Sequence, residues 1–278
     1  IKPLQIIDWY ENQVIDKSLI AGARKAFPKA KIIGAQIFIH PPNYLSLYPS
    51  QSEVDAQLVP DVLLETSEYQ CRVAQEFTTA IPCLSAAALR YAYVFEYKND
   101  NKEVKNKTIL VLLPFDIQEA VELLWMLKDV LNQIEEHVNI LIKCHPDYSI
   151  RELIKAFDED AWHSRFKVFT GNMSNALNTA SIVVSSNSSS MVEAAAKGIP
   201  VIFVGRQTVL NQNSLANLNM EITTECFSAE ELTSAINKYL NISSEKIREY
   251  KEMGKKVRDL FFTPVNEETM SPFLVNKK

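Results

Sequence analysis

The stretch that decides the fold runs from Ser181 to Val204 and reads SIVVSSNSSSMVEAAAKGIPVIFV. Ile182 to Ser185 is a short, almost wholly apolar run, as a buried strand requires, and Val201 to Val204 is a second. Between them Ser188 to Lys197 reads as a helix, with Asn187 or Ser188 placed to cap its start. Gly198 suits the position just past its end, and Pro200 follows to stop it. Two apolar strands joined by a helix form a βαβ unit, which predicts a parallel sheet covered on both faces.

The same rhythm extends outward from this unit. Thr108 to Leu113 reads as a buried strand, followed by a long helix whose inner side is marked by Ile117, Val121, Leu124, Lys128, Leu131 and Ile134. Asn139 to Lys143 is a strand, Ile150 to Phe157 a helix, Phe166 to Phe169 a strand and Ser174 to Ala180 a short helix. Helices at Ala229 to Leu240 and Ser244 to Leu260 close the pattern. Toward the amino end, Leu4 to Ile7 and Ala30 to Phe38 read as strands around a helix from Gln13 to Phe27. A short strand at Val62 to Leu64 and a helix from Ser67 to Phe77 follow. The polar run YKNDNKEVKNK, Tyr97 to Lys107, lacks apolar periodicity and reads as a linker. The expected organisation is a partial Rossmann-like domain over 1–97, a linker over 98–107, a second Rossmann-like domain over 108–242, and a C-terminal helix and tail over 243–278. Ile1 lies inside a strand pattern, which predicts that part of the first domain precedes it.

Composition narrows the function. The chain has 278 residues, is 47% hydrophobic, and carries a net charge of −5, so it offers no basic footprint for nucleic acid. Its six glycines include no G-x-G-x-x-G or G-x-x-x-x-G-K-[ST] spacing, which removes the ordinary dinucleotide and P-loop sites. Four cysteines without a C-x-x-C pair read as reduced thiols. With no apolar run of about 18 residues and no signal peptide, the expectation is a cytoplasmic protein.

Ligands of open α/β sheets bind beyond the carboxyl ends of the strands, so the residues after each strand are the candidates. His145, in Lys143-Cys-His-Pro-Asp147, follows a strand that Pro146 terminates. It can donate to a phosphate oxygen or carry a proton, or be satisfied by a neighbouring carbonyl. Ser188, Ser189 and Ser190 at a helix start offer hydroxyls and amides to an anion, with Glu193 placed to meet a ribose diol; the alternative is an ordinary capped helix. Asp8 and Glu11 follow the first strand and are general-base candidates, although Asp8 also suits a helix cap. Asp158-Glu-Asp160 has a metal-binding D-x-D spacing but follows a helix, and reads as a solvated terminus. The four histidines show no zinc spacing, so no metal is expected.

At these residues the chain resembles a known group. His145-Pro146 and the serines at 188–190 are similar to the HP and SS motifs of bacterial transferases that use CMP-activated sugars, the sialyl- and Kdo-transferases of capsule and lipopolysaccharide assembly. Asn187 to Pro200 resembles the donor-binding helix of GT-B glycosyltransferases. Ile7 to Gln13 and Pro42 to Pro49 resemble a bacterial surface-carbohydrate biosynthesis family. The resemblance implies an α/β GT-B architecture, two Rossmann-like domains facing across a cleft, and a metal-independent glycosyltransferase. Its donor would be a CMP-sugar carrying Kdo or sialic acid, its acceptor a glycan or glycolipid, with peripheral association with the inner membrane or a polysaccharide assembly complex. No cofactor is implied beyond that co-substrate. In that picture His145 binds or protonates the donor phosphate, Ser188, Ser189 and Ser190 hold it, Glu193 contacts ribose or base, and Glu11 or Asp8 deprotonates the acceptor. The glycine-rich loop after the first strand of the second domain is replaced here by Leu113-Pro-Phe-Asp116. A UDP-sugar transferase, a CDP-glycerol phosphotransferase, a sugar-nucleotide epimerase and a noncatalytic nucleotide-binding module are the rival readings.

Overall fold

The computed structural model describes residues 2–96, 107–216 and 218–275. The linker expected over 98–107 therefore lies, except for Lys107, outside the described residues. The chain divides into two compact units, residues 1–96 with 259–278 and residues 97–258.

The first unit holds β1 (Gln5–Trp9), α1 (Val14–Ala26), β2 (Lys31–Gln36), α2 (Gln51–Asp55), β3 (Val62–Glu65), α3 (Glu68–Phe77) and β4 (Cys83–Ser85). Its four strands are parallel, in the order β1-β2-β3-β4. Side chains alternate across this sheet: Ile32 and Leu63 pack with Tyr10 and Ile20 on one face, and Ile33, Val62 and Leu64 pack on the other.

The second unit holds β5 (Thr108–Leu112), α4 (Ile117–Val130), β6 (Asn139–Lys143), α5 (Ile150–Phe157), β7 (Phe166–Val168), α6 (Met173–Thr179), β8 (Ile182–Ser185), α7 (Ser190–Ala196), β9 (Val201–Val204), β10 (Thr223–Cys226) and α8 (Ala229–Leu240). Six parallel strands run in the order β10-β9-β8-β5-β6-β7. Ile109, Val111, Ile140, Ile142, Ile182 and Val184 join Leu124 and Leu127 of α4 and Ile236 of α8 in one core. Leu110, Leu112 and Val183 are buried as well. β5, β8 and β9 read as near-continuous apolar runs because neither face meets water.

Helix ends follow side-chain chemistry. Asp116 caps α4 by accepting from the amides of Gln118 and Glu119 at 2.7 and 3.0 Å. The long helix stops at Val130, and Leu131–Gln133 forms a tighter 3₁₀ turn, so Leu131 and Ile134 are buried beyond the α-helix rather than on it. Gly198 adopts φ 80°. Its amide bonds to Ala195 O and that of Ile199 to Ala194 O, the paired bonds of a Schellman end.

The long helix α9 (Ser244–Phe261) packs on that turn through Gly254, where an added Cβ would lie 2.8 Å from Ala195 O. This packing carries the second unit past 242, the expected end of its domain, to Arg258. The last helix, α10 (Glu267–Met270), belongs to the first unit, where the Ala87 amide donates to Thr269 O.

Candidate functional site

The strand order places the site. β5 is the first strand of its sheet, and the chain continues from it to β6 and β7 on one side and then to β8, β9 and β10 on the other. That reversal creates a crevice at the carboxyl ends of β5 and β8, where doubly wound sheets hold nucleotides. Three polar segments border it: Leu113–Asp116 after β5, Cys144–Ser149 after β6 and Ser186–Ser189 after β8. His145 and the three serines therefore lie at the same edge of one sheet, on the strands either side of β5. With strands about 4.8 Å apart, those strand ends are about 10 Å from each other.

The turn after β8 is built differently from a simple helix cap. Asn187, expected to cap α7, donates its amide N–H to Glu119 Oε1 at 3.3 Å and its Nδ2 to Glu119 Oε2 at 3.0 Å. Its Oδ1 accepts from the Gln212 amide at 2.9 Å. Ser188 turns its amide back to Ser186 O at 2.8 Å. The helix thus begins at Ser190 instead of Ser188, and Ser189 takes the capping position without a side-chain cap bond. The hydroxyls at 188–190 are half-buried, and the one at 189 is not spent on ending the helix. Ser185, at the end of β8, donates its hydroxyl to Leu112 O at 2.5 Å and fastens β8 to β5.

Glu119 is the centre of this arrangement and was absent from the sequence candidates. It is buried, in the first turn of α4, and its Oε2 lies 3.8 Å from Arg206 Nη2. Arg206 reaches Glu122 Oε2 with Nη1 at 3.5 Å. The Arg206 backbone is pinned by Asn211, which accepts from its N–H and donates to its carbonyl, both at 2.8 Å.

On the other side of β5, His145 is packed edge-on against Phe115, with ring centres 5.6 Å apart, and a third of its side chain is exposed. Its Nδ1 accepts from the Asp147 amide at 3.4 Å. Tyr148 donates its hydroxyl to Pro114 O at 2.8 Å, and burial raises the pKa of this phenol, keeping the proton in place. The segments after β5 and β6 are thereby locked together, with Pro146 in the bend. Lys143 gives its ammonium to Gly171 O at 3.0 Å. Glu193 is buried in α7.

The remaining candidates belong to the first unit. Asp8 sits within β1, paired in register with Gly34, not after the strand as expected. Burial and the charge of Asp16 raise its pKa, and its Oδ2 is a buried atom without a hydrogen-bond partner. The cap of α1 falls instead to Gln13 with Asp16, which accepts from the amides of Glu11 and Gln13 at 3.0 and 2.8 Å. Glu11 accepts from Trp9 Nε1 on one oxygen and Gln13 Nε2 on the other, at 2.9 and 2.8 Å.

This unit also buries a polar knot at its carboxyl edge that the sequence did not signal. His40 Nε2 lies 3.4 Å from Glu65 Oε2, and Gln70 Nε2 donates to His40 O at 3.3 Å. Asp158 and Asp160 form a local turn closed by the Asp160 amide, as a helix terminus would. Among the described residues no group of three or more His, Cys, Asp or Glu could hold a metal ion, and no helix is long and apolar enough to cross a membrane.

Comparison with known proteins adds a family. The model of the glycosyltransferase family 28 C-terminal domain matches residues 118–263, more than half the chain. No curated protein matches the sequence. Among solved structures, a mutant of S. aureus TarM, in complex with fondaparinux, alpha-GlcNAc-glycerol and UDP, is 13% identical with a TM-score of 0.55, over 89% of this chain and 50% of that one. S. aureus MnaA bound to UDP is 12% identical with a TM-score of 0.58, over 98% and 74%. MurG of Acinetobacter baumannii is 13% identical with a TM-score of 0.56, over 98% and 73%. The chain thus spans half the length of TarM, and at these identities the likeness is one of fold.

Proposed function

We propose, from the premise that the chain belongs to the glycosyltransferase family 28 C-terminal domain family, that it binds a UDP-sugar at the β5–β8 edge and transfers the sugar to a glycan or glycolipid hydroxyl. The observation that carries this reading is the strand order β10-β9-β8-β5-β6-β7. It sets the hydroxyl-rich turn at 186–190 and the His145 segment around the point where the sheet reverses. UDP is preferred to the CMP donor expected from the motif resemblance because TarM and MnaA, which share the fold, are seen with UDP.

As the glycosidic bond breaks, negative charge grows on the leaving phosphate. Donors held there in advance favour the transition state over the ground state. Ser188, Ser189, Ser190 and His145 supply such donors, while Glu193 meets the ribose or base. Asp8 or Glu11 serves as the base for the acceptor hydroxyl. Burial and the charge of Asp16 raise the pKa of Asp8, so it holds a proton more readily than an ordinary aspartate.

Calorimetric titration of the chain with UDP and with CMP tests the reading. UDP is expected to bind and CMP to bind more weakly; tighter binding of CMP would return the donor to the CMP-sugar class, and failure of both would remove the nucleotide site.

A further inference from the structure

Two cysteines of the first unit face each other. Cys71 lies near the start of α3 and Cys83 opens β4. Both are free thiols, and that of Cys83 donates to Cys71 Sγ at 3.0 Å. Cys71 is 3% exposed, whereas Cys83 is half-buried against Tyr48, Val73 and Ala74. The sulfurs of a disulfide lie about 2.05 Å apart, so a further approach of about 1 Å joins this pair. The remaining thiols do not face each other. Cys144 follows β6 and Cys226 ends β10, four strands away in the second sheet, about 19 Å at the usual strand spacing.

β4 is a three-residue strand at the edge of its sheet, held there by pairing with β3. It and the residues after it also anchor the C-terminal segment of this unit. Ser85 Oγ lies 2.7 Å from Thr263 Oγ1. The Ala88 amide donates to Thr263 O and the Ala87 amide to Thr269 O. We propose that Cys71 and Cys83 form a redox-controlled disulfide that clamps β4 to α3 and, through β4, steadies the seat of residues 263–269.

Cys83 is the sulfur that an oxidant reaches first, because Cys71 is buried. Its thiolate attacks a small-molecule disulfide such as oxidised glutathione and expels one glutathione thiolate. The Cys71 thiolate then attacks Cys83 Sγ of the mixed disulfide and expels the second. Two protein thiols give up two protons and two electrons, and one glutathione disulfide becomes two glutathione thiols. The bond to Cys71 and burial raise the pKa of Cys83, so the exchange quickens as pH rises. The closed link stabilises the fold chiefly by restricting the unfolded chain.

The test treats the whole chain with oxidised glutathione at alkaline pH and compares it with chain reduced by dithiothreitol. Thiols titrated in denaturant should fall from four to two, and mass spectrometry without reduction should join the tryptic peptides 32–72 and 73–90. The oxidised chain should melt about 5 °C or more above the reduced one, and amide exchange over 83–88 and 263–269 should slow. Cys71→Ala should instead keep glutathione on Cys83 and melt without redox dependence. If that variant does not fold, the oxidised and reduced wild-type chains carry the comparison alone. Four free thiols after oxidation, a stable glutathione adduct on wild-type Cys83, or a closed link that leaves amide exchange unchanged would each overturn the proposal.

Discussion

Asn187 gives both its backbone N–H and its side-chain amide to one carboxylate, that of Glu119, 68 residues earlier in the chain. This pair joins the turn after β8 to the first turn of α4 across the crevice edge. Because Glu119 is buried, removing either partner strands polar groups away from water. Glu119→Ala and Asn187→Ala should each destabilise the chain by about 1–3 kcal/mol. The double variant should cost less than the sum, since the groups share one interaction. Urea unfolding of the three variants measures this, and strictly additive losses would show that the two residues act independently.

The serines should separate binding from folding. Ser189 makes no cap bond in the structure, so truncating it removes no helix-capping interaction and should move stability by less than about 0.5 kcal/mol. Ser189→Ala with Ser190→Ala should therefore unfold at the wild-type temperature yet bind UDP about tenfold or more weakly, as loss of bonds to a charged phosphate implies. Paired calorimetry and thermal unfolding decide the matter. A large drop in unfolding temperature would assign the serines to the helix instead.

His145→Ala should lower turnover by about 10²–10³, the size associated with one preorganised donor to a developing negative charge. UDP affinity should change far less than turnover. Equal losses in both would make His145 a ground-state binding group.

Gly254→Ala addresses the packing that extends the second unit. A methyl there would approach Ala195 O to 2.8 Å and Gly198 Cα to 2.8 Å, so α9 must shift. A destabilisation of about 1–3 kcal/mol is expected, typical of overpacking. Unfolding at the wild-type urea midpoint would mean that α9 gives way without penalty.

The raised pKa of Asp8, caused by burial and then by the charge of Asp16, has a definite sign in stability. The folded chain holds this proton more tightly than the unfolded chain does. Its contribution is thus complete below the ordinary value of 3.8 and is lost as pH rises through the folded value. Asp8→Asn removes the titration, so the variant should gain stability relative to wild type between acid and neutral pH. Urea midpoints across that range test this, and parallel pH profiles would contradict it.

The alternating strands and helices were legible wherever local signals agreed. The apolar run NILIK gave β6 its bounds, and Ser149 with Glu152 forms the capping box that starts α5 at Ile150. The short strands β4, CLS, and β10, TTEC, were not legible. Neither has an apolar pattern of its own, and each is made a strand by its neighbour in the sheet. The start of α7 was misplaced for a related reason. A run of Ser and Asn offers several equivalent caps, and the choice was made by Glu119, a distant residue that took Asn187 for itself. The positions of His145 and Ser188–Ser190 could be read from the strands they follow, whereas the roles of Glu119 and Arg206 depend on contacts between segments far apart in sequence.

The most direct measurement of the central claim is a crystal structure of the chain with UDP. The phosphates should lie at the β5–β8 edge, within hydrogen-bonding distance of the Ser188–Ser190 turn and with His145 beside them. UDP bound elsewhere on the second unit, or an empty edge at saturating UDP, would contradict the account.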